Sequence, residues 1–274
     1  MSLQHIITTK QFPALAYNRY GSGPAIMLIH GFPASGSLWG ELVIHLSQAL
    51  TVLVPDIPGT CDSRLEGEAI TIEELATIVP DILDHAGIQH CVVAGHSMGG
   101  YIGLAAAELF GSRMGGLSLV HSTALADDEE KKDKRRKSIE LISKGGREMF
   151  IRGMIPGLFS ESYRNAHPEV IAERIEDGLK LPAESLIAFY NAMIDRPERL
   201  ELLRSAAFPI QWILGEDDTT IPWKSCLQQS SLPVVSFVKL YDKCGHMSMI
   251  EQKELLQKDL LMFVSYCLQR EALG

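Results

Sequence analysis

Short apolar runs recur through the first half of the chain, each closed by a Gly, Pro or Asp break and followed by a stretch with helical spacing. The clearest runs lie at 25–30 (AIMLIH), 51–55 (TVLVP), 91–95 (CVVAG), 117–121 (LSLVH), 210–215 (IQWILG) and 234–241 (VVSFVKLY). They are continuous rather than alternating, which is the pattern of strands buried on both faces. Strands that alternate with helical segments predict a parallel sheet covered by helices. A weaker pair at 4–8 and 15–20 predicts an antiparallel hairpin at the sheet edge.

The rhythm stops after His121 and resumes near Pro209, and the stretch between has helical composition without a convincing strand. It opens with DDEEKKDKRRK at 127–137, where Asp127/Lys131, Asp128/Lys132, Glu130/Lys134 and Asp133/Lys137 are acid-before-base pairs four apart. That pattern predicts a solvated helix, and the interleaved acids argue against a basic patch for nucleic acid or membrane. Further on, Met149, Phe150, Ile151, Met154, Ile155, Leu158 and Phe159, then Leu186, Ile187, Phe189, Tyr190 and Met193, recur at roughly helical intervals. Most of them should attach the insertion to the main body, and a minority should face the cleft beneath.

At 274 residues and 46% hydrophobic, the chain can bury one large core, so a single domain with an insertion is the natural size reading. The net charge of −9 gives no electrostatic reason to seek phosphate backbones or anionic lipids, which leaves a small molecule as the expected partner. The first residues lack the basic start and apolar stretch of a secretory signal, and no later run is long enough to span a bilayer. A cytoplasmic location is therefore expected. The five cysteines are scattered, without CxxC spacing, and read as reduced thiols that mostly pack. They point to no metal.

The chemistry begins where the strand at 91–95 runs into Gly95-His96-Ser97-Met98-Gly99-Gly100 and then an alanine-rich helical stretch. Glycines at 95 and 99 permit a very tight strand-to-helix turn that leaves Ser97 projecting at a helix N-terminus, where free N–H groups favour negative charge. A serine needs a histidine base and an acid to orient that base. The strand at 210–215 ends in Gly215-Glu216-Asp217-Asp218-Thr219-Thr220-Ile221-Pro222, and the strand at 234–241 ends in Asp242-Lys243-Cys244-Gly245-His246. An acid and a histidine at strand ends, in the order Ser, Asp, His, fit the requirement.

The HGF at His30, GHSMGG around Ser97, GEDDTTIP around Asp218 and CGHM at His246 resemble the α/β-hydrolase superfamily, in particular its capped esterase, lactonase and haloperoxidase-like branch. The resemblance covers nearly the whole chain. It implies an α/β fold with a mostly parallel central sheet of about eight strands and helices on both faces. The core domain would span 1–121 and 206–274, with a helical cap insertion at 122–205. Ser97 matches the nucleophile and His246 the base. The family places its acid three residues after a glycine and four before a proline, which selects Asp218 over Asp217 within the Gly215 to Pro222 frame; Asp195 is a more distant alternative. The backbone amides of Phe32 and Met98 would form the oxyanion hole, with His30 and Gly31 shaping that loop, His30 structurally, and Gly95 and Gly99 supporting the turn. No cofactor or metal is implied. One departure stands in the run from Asp56 to Ser63, where Cys61 replaces the second glycine of a Gly-x-Gly-x-Ser turn. Altered loop geometry is expected there, with Cys61 a buried packing residue.

The activity that follows is hydrolysis of a small carboxylic ester through an acyl-enzyme, carried out by a monomer or homodimer. The same triad would also serve C–C bond hydrolysis, enol-lactone opening or peracid formation, and a ligand receptor with little turnover is the alternative from another class. Arg152, Arg164, Arg174 and Arg196 could anchor an acidic substrate, although pairing with nearby acids is the plainer expectation.

Overall fold

The computed structural model describes residues 3–67 and 69–271, Glu271 by its backbone only. Its centre is one eight-stranded sheet: β1 (Leu3–Ile7), β2 (Leu15–Tyr20), β3 (Ala25–Ile29), β4 (Thr51–Pro55), β5 (Cys91–His96), β6 (Met114–Val120), β7 (Ile210–Gly215) and β8 (Ser236–Tyr241), in the spatial order β1-β2-β4-β3-β5-β6-β7-β8. The first two strands form an antiparallel hairpin whose second strand pairs antiparallel with β4, and every remaining pairing is parallel. The continuous apolar runs at β3, β4, β5 and β7 are almost wholly buried, as double-faced strands must be.

Two strands depart from the pattern. β6 starts at Met114, earlier than its apolar run, because the Gly115-Gly116 pair hides the strand from a hydrophobicity pattern while its backbone still pairs with β5. β8 starts at Ser236 at the edge of the sheet, and Val238 and Leu240, which share one face of it, remain 38% and 43% exposed. A continuous run there does not mean burial on both faces.

Neighbouring residues of β6 locate the helical layers. A Cβ at Gly116 would meet Cys267 and Phe263 of the helix Lys253–Glu271, whereas Leu117 touches Gly103 of the helix Met98–Leu109. Successive side chains of a strand point to opposite faces, so these two helices cover the two sides of the sheet. Between β6 and β7 the described chain is helical, with Glu129–Leu141, Arg147–Met154, Glu161–Ala166, Pro168–Gly178, Ala183–Asp195 and Leu200–Ser205 as its principal helices. Among the described residues no helix is long and apolar enough to cross a membrane.

The parallel strands all end on one side of the sheet, where ligands bind in such folds. Here the chain segments after β3, β5, β6, β7 and β8 carry His30, Ser97, His121, Asp218 and His246. His30, fully buried, ties two of these ends together. Its Nε2 accepts the Ile57 N–H at 3.0 Å, which leaves Nδ1 protonated to donate to Gly31 O at 3.0 Å. Both ring nitrogens are thus used by the neutral form, as a structural role requires.

Burial lowers the pKa of His30 from 6.5 to about 4, and the hydrogen bond to Gly31 offsets this only in part. The unfolded chain therefore takes up a proton that the folded chain refuses. The sign follows: this contribution is present in full above about 6.5 and is lost as pH falls towards 4, amounting to ~3 kcal/mol. Urea unfolding of the wild type and His30→Gln across that window should show a slope against pH shallower by up to one proton in the variant. Equal slopes would contradict the buried neutral state.

Candidate active site

Ser97 sits between β5 and the helix Met98–Leu109 with φ 50° and ψ −114°, a conformation that L-residues avoid at a cost of roughly 1–3 kcal/mol. Hydrogen bonds to its backbone hold it. Its N–H donates to Val120 O of β6 at 2.9 Å, and its carbonyl accepts from Gly100 N at 2.9 Å and from the Ser122 hydroxyl at 2.8 Å. The turn can be this tight only without side chains at its flanks. A Cβ at Gly95 would lie 2.2 Å from Gly99 O, and one at Gly99 would lie 2.2 Å from Ile29 O of β3.

His246 enters from the loop after β8. Its Nδ1 is 2.7 Å from Asp218 Oδ2, which leaves Nε2 as the ring nitrogen able to take a proton. Asp218 is buried, and its other oxygen accepts the backbone N–H groups of Thr220 and Ile221 at 2.8 and 2.9 Å. Burial alone would push this carboxyl up, but His246, His121 and their hydrogen bonds outweigh it and hold the group well below the usual carboxylate range. Asp218 is the acid that reaches His246. Asp217 and Asp195 are both exposed, and neither bonds to His246.

A second histidine shares the acid. His121, fully buried at the end of β6, has Nδ1 3.1 Å from Asp218 Oδ2, while its Nε2 has no hydrogen-bond partner among the described residues. Burial lowers its pKa, so it is neutral and donates through Nδ1. Ser97, His121 and Asp218 follow adjacent parallel strands, and that topology was the available signal for His121. His96 closes the group: its Nε2 donates to the His246 carbonyl at 2.9 Å, and its ring lies 4.8 Å from the His246 ring. Single ligand atoms of His121, Asp218 and His246 fall within 4.8 Å of one another, a spacing that could hold a cation. A cation would have to displace the two N–H donors already aimed at Oδ2.

The Phe32 and Met98 amides have no hydrogen-bond acceptor among the described residues, and each follows a strand end, after β3 and β5. Gly31 lies against the His96 ring and the Ser97 Cβ. Cys61 differs from its expected role: it is exposed, not a buried packing residue. Its φ of 47° is a left-handed backbone conformation that suits glycine and strains a cysteine. Partial burial of the sulfur and the charge of Asp56 raise its pKa, which disfavours a reactive thiolate.

Ser97 and His246 open into a cavity of about 260 Å³ between the sheet and the insertion, walled also by Phe32, Tyr101, Leu158, Tyr190 and Met193. The insertion is joined to the His246 loop through backbone groups. His246 N–H donates to Leu158 O at 2.7 Å, and the Glu251 carboxylate accepts from Gly245 and Met247 on that loop and from Ser160 on the insertion. The four arginines considered as anchors are otherwise engaged. Arg152 pairs with Glu148 and Glu176, Arg174 with Glu173 and Asp177, Arg164 donates to Pro156 O, and Arg196 is buried against Asp127. The cations that do reach the cavity, Lys131, Lys134 and Arg135, come from the helix Glu129–Leu141. That helix was expected to be wholly solvated. Instead Asp128 caps it, and Asp127 is buried between Arg135 at 2.6 Å and Arg196 at 2.9 Å.

A family model described as alpha/beta hydrolase fold matches residues 24–200, well over half of the chain. A malate-bound thermophilic esterase from Thermogutta terrifontis superposes with a TM-score of 0.91 at 29% identity, over 97% of this chain and 99% of that one. An enol-lactonase from Burkholderia xenovorans LB400 shares the fold with a TM-score of 0.88 at 21% identity, over 95% of this chain and 100% of that one. A putative carbamate hydrolase from Azorhizobium caulinodans is 28% identical over 80% of this chain and 83% of its own. With its mostly parallel eight-stranded sheet and the match across 24–200, the chain belongs to the α/β-hydrolase fold family.

Proposed function

We propose that the protein is a serine hydrolase that cleaves a small carboxylic ester through a covalent acyl-enzyme, with Ser97 as nucleophile, His246 as general base and acid, and Asp218 as the orienting carboxylate. The observation that carries this reading is the strained Ser97 in one cavity with His246, whose Nδ1 is 2.7 Å from the buried Asp218. The esterase and the putative carbamate hydrolase among its relatives support an acyl substrate.

The steps follow from the atoms. Ser97 Oγ attacks the ester carbonyl carbon while His246 Nε2 takes the hydroxyl proton, and the carbonyl oxygen becomes an oxyanion held by the Phe32 and Met98 amides. The C–O bond to the leaving alcohol breaks as His246 returns the proton to that oxygen. Water, deprotonated by His246, then attacks the acyl carbon, and the acid leaves with Ser97 restored. Asp218 remains ionised throughout and holds the imidazole in the tautomer that exposes Nε2. In this reading the insertion at 122–205 is the cap that covers the acyl pocket, and Glu251 fixes its position relative to the base.

The test is a panel of p-nitrophenyl esters of varied acyl length, run beside fluorophosphonate labelling. Wild type should turn over at least one ester and be labelled, whereas Ser97→Ala should be unlabelled and lose ~10⁴-fold or more in kcat with its fold intact. Labelling without turnover of any ester would replace this reading with a ligand receptor. Between the neighbouring acids, Asp218→Asn should cost ~10²–10⁴ in kcat and Asp217→Asn about twofold at most; equal losses would refute the assignment. Removal of the competing donor in His121→Leu leaves Oδ2 to His246 alone. The acid limb of kcat/KM should then move up by about half a unit to one unit, and an unmoved limb would make His121 a packing residue only.

A further inference from the structure

The cavity beside Ser97 has three cations in its wall, Lys131, Lys134 and Arg135, and no carboxylate, in a chain of net charge −9. Positions 131, 134, 135 and 138 share one face of the helix Glu129–Leu141, so these side chains and Ser138 line up along one side of the pocket. Their exposure falls from the mouth inwards: 72% for the Lys134 side chain, 31% for Lys131 and 13% for Arg135.

Arg135 is the innermost and the best defined. Its Nε donates to Asp127 Oδ2 at 2.6 Å, and its guanidinium lies 5.3 Å from the centre of the Tyr190 ring. Its Nη groups have no acceptor among the described residues. Asp127 does not cancel this charge, because Arg196, itself buried, is bonded to its other oxygen at 2.9 Å. One carboxylate is thus shared by two guanidinium groups, with Lys131 a further 3.9 Å away. The charge left over faces the cavity. With Nε bonded to Asp127 and the guanidinium beside the Tyr190 ring, the two Nη groups of Arg135 are left as a planar fork, which matches the two oxygens of a carboxylate.

We propose that the pocket selects acyl substrates that carry a second, anionic end, a carboxylate held by Arg135 with Lys131 and Lys134 lining its path in. The substrate class is the monoester of a dicarboxylic acid, or a lactone that bears a free carboxylate. Arg135 is then a specificity-determining residue that binds the end of the substrate remote from the scissile bond. This rests on Ser97 acting as the nucleophile that opens the ester.

The experiment compares two substrates: the mono-p-nitrophenyl ester of glutaric acid, with its free carboxylate, and the same ester methylated at the other end. Wild type at low salt should favour the acid by tenfold or more in kcat/KM, mainly through KM, and added salt should narrow the gap. Arg135→Gln should lose at least tenfold of that preference, and Arg135→Lys should restore part of it. If Arg135→Gln fails to fold, the wild-type arm still decides, because free glutarate should inhibit turnover of the neutral ester competitively and more strongly than inorganic phosphate at equal concentration. A wild type that hydrolyses both esters equally, or prefers the neutral one, overturns the proposal and leaves the hydrolase reading intact. Stronger inhibition by phosphate overturns the choice of carboxylate. Turnover of neither ester, with Ser97 unlabelled by fluorophosphonate, overturns the hydrolase reading and this proposal with it.

Discussion

The turn between β5 and the helix Met98–Leu109 closes only because the residues flanking Ser97 bring no Cβ into contact with it. Gly95 and Gly99 approach each other, and Gly99 approaches the carbonyls of β3, at distances that leave no room for a methyl group. The strain this puts on Ser97 persists because β6 holds the Ser97 amide and Ser122 holds its carbonyl. Three neighbouring strands and the helix are therefore registered against one residue. The same turn starts the helix Met98–Leu109 directly after Ser97, so the packing that closes the turn also puts the positive end of the helix next to that residue.

A buried carboxylate needs as much attention. Asp218 would be costly in this interior as an unpaired charge, but both its oxygens are occupied, one by two backbone amides and the other by two imidazoles. Its stability and its orientation have the same source. The orphaned Nε2 of His121 is the residual cost, a buried acceptor without a donor. It stays neutral because burial takes the ring away from water and lowers its pKa. The loop that carries His246 is held from the far side by Glu251, which also holds Ser160 of the insertion, so the position of the insertion and the position of His246 are not independent.

What the sequence made legible is what depends on local rules. The apolar runs match six strands to within a few residues, five of them because a strand buried on both faces has no polar alternation to confuse it, and the glycine turn and the strand-end acid and histidine stood out by chemistry. The family frame chose Asp218, and burial separates it from Asp217 in the structure. What was not legible depends on which face an element turns inward. β8 reads as a buried strand yet lies at the sheet edge. Cys61 reads as a packing residue because its left-handed backbone cannot be seen in its identity. The run at 127–137 reads as solvated because acids and bases balance when counted along the chain. In space they do not balance, since Asp127 leaves the helix surface to sit between two arginines.

That last difference bears on how net charge should be used. A chain of −9 repels polyanions at long range, and the argument against nucleic acid rests on that far field. Beyond a Debye length of about 8–10 Å the far field is screened, and inside a cavity the nearby groups decide. There Lys131 and Arg135 line the wall, with Lys134, paired to the exposed Glu130, at the mouth, and the buried acid behind Arg135 is already shared with Arg196. A small acid entering this pocket meets an attraction that the average composition hides, and its selection depends on contact with a fixed guanidinium rather than on steering from solution. An acidic protein can therefore carry a site for an acidic small molecule without contradiction, provided that the charge is local, partly desolvated and held in one orientation.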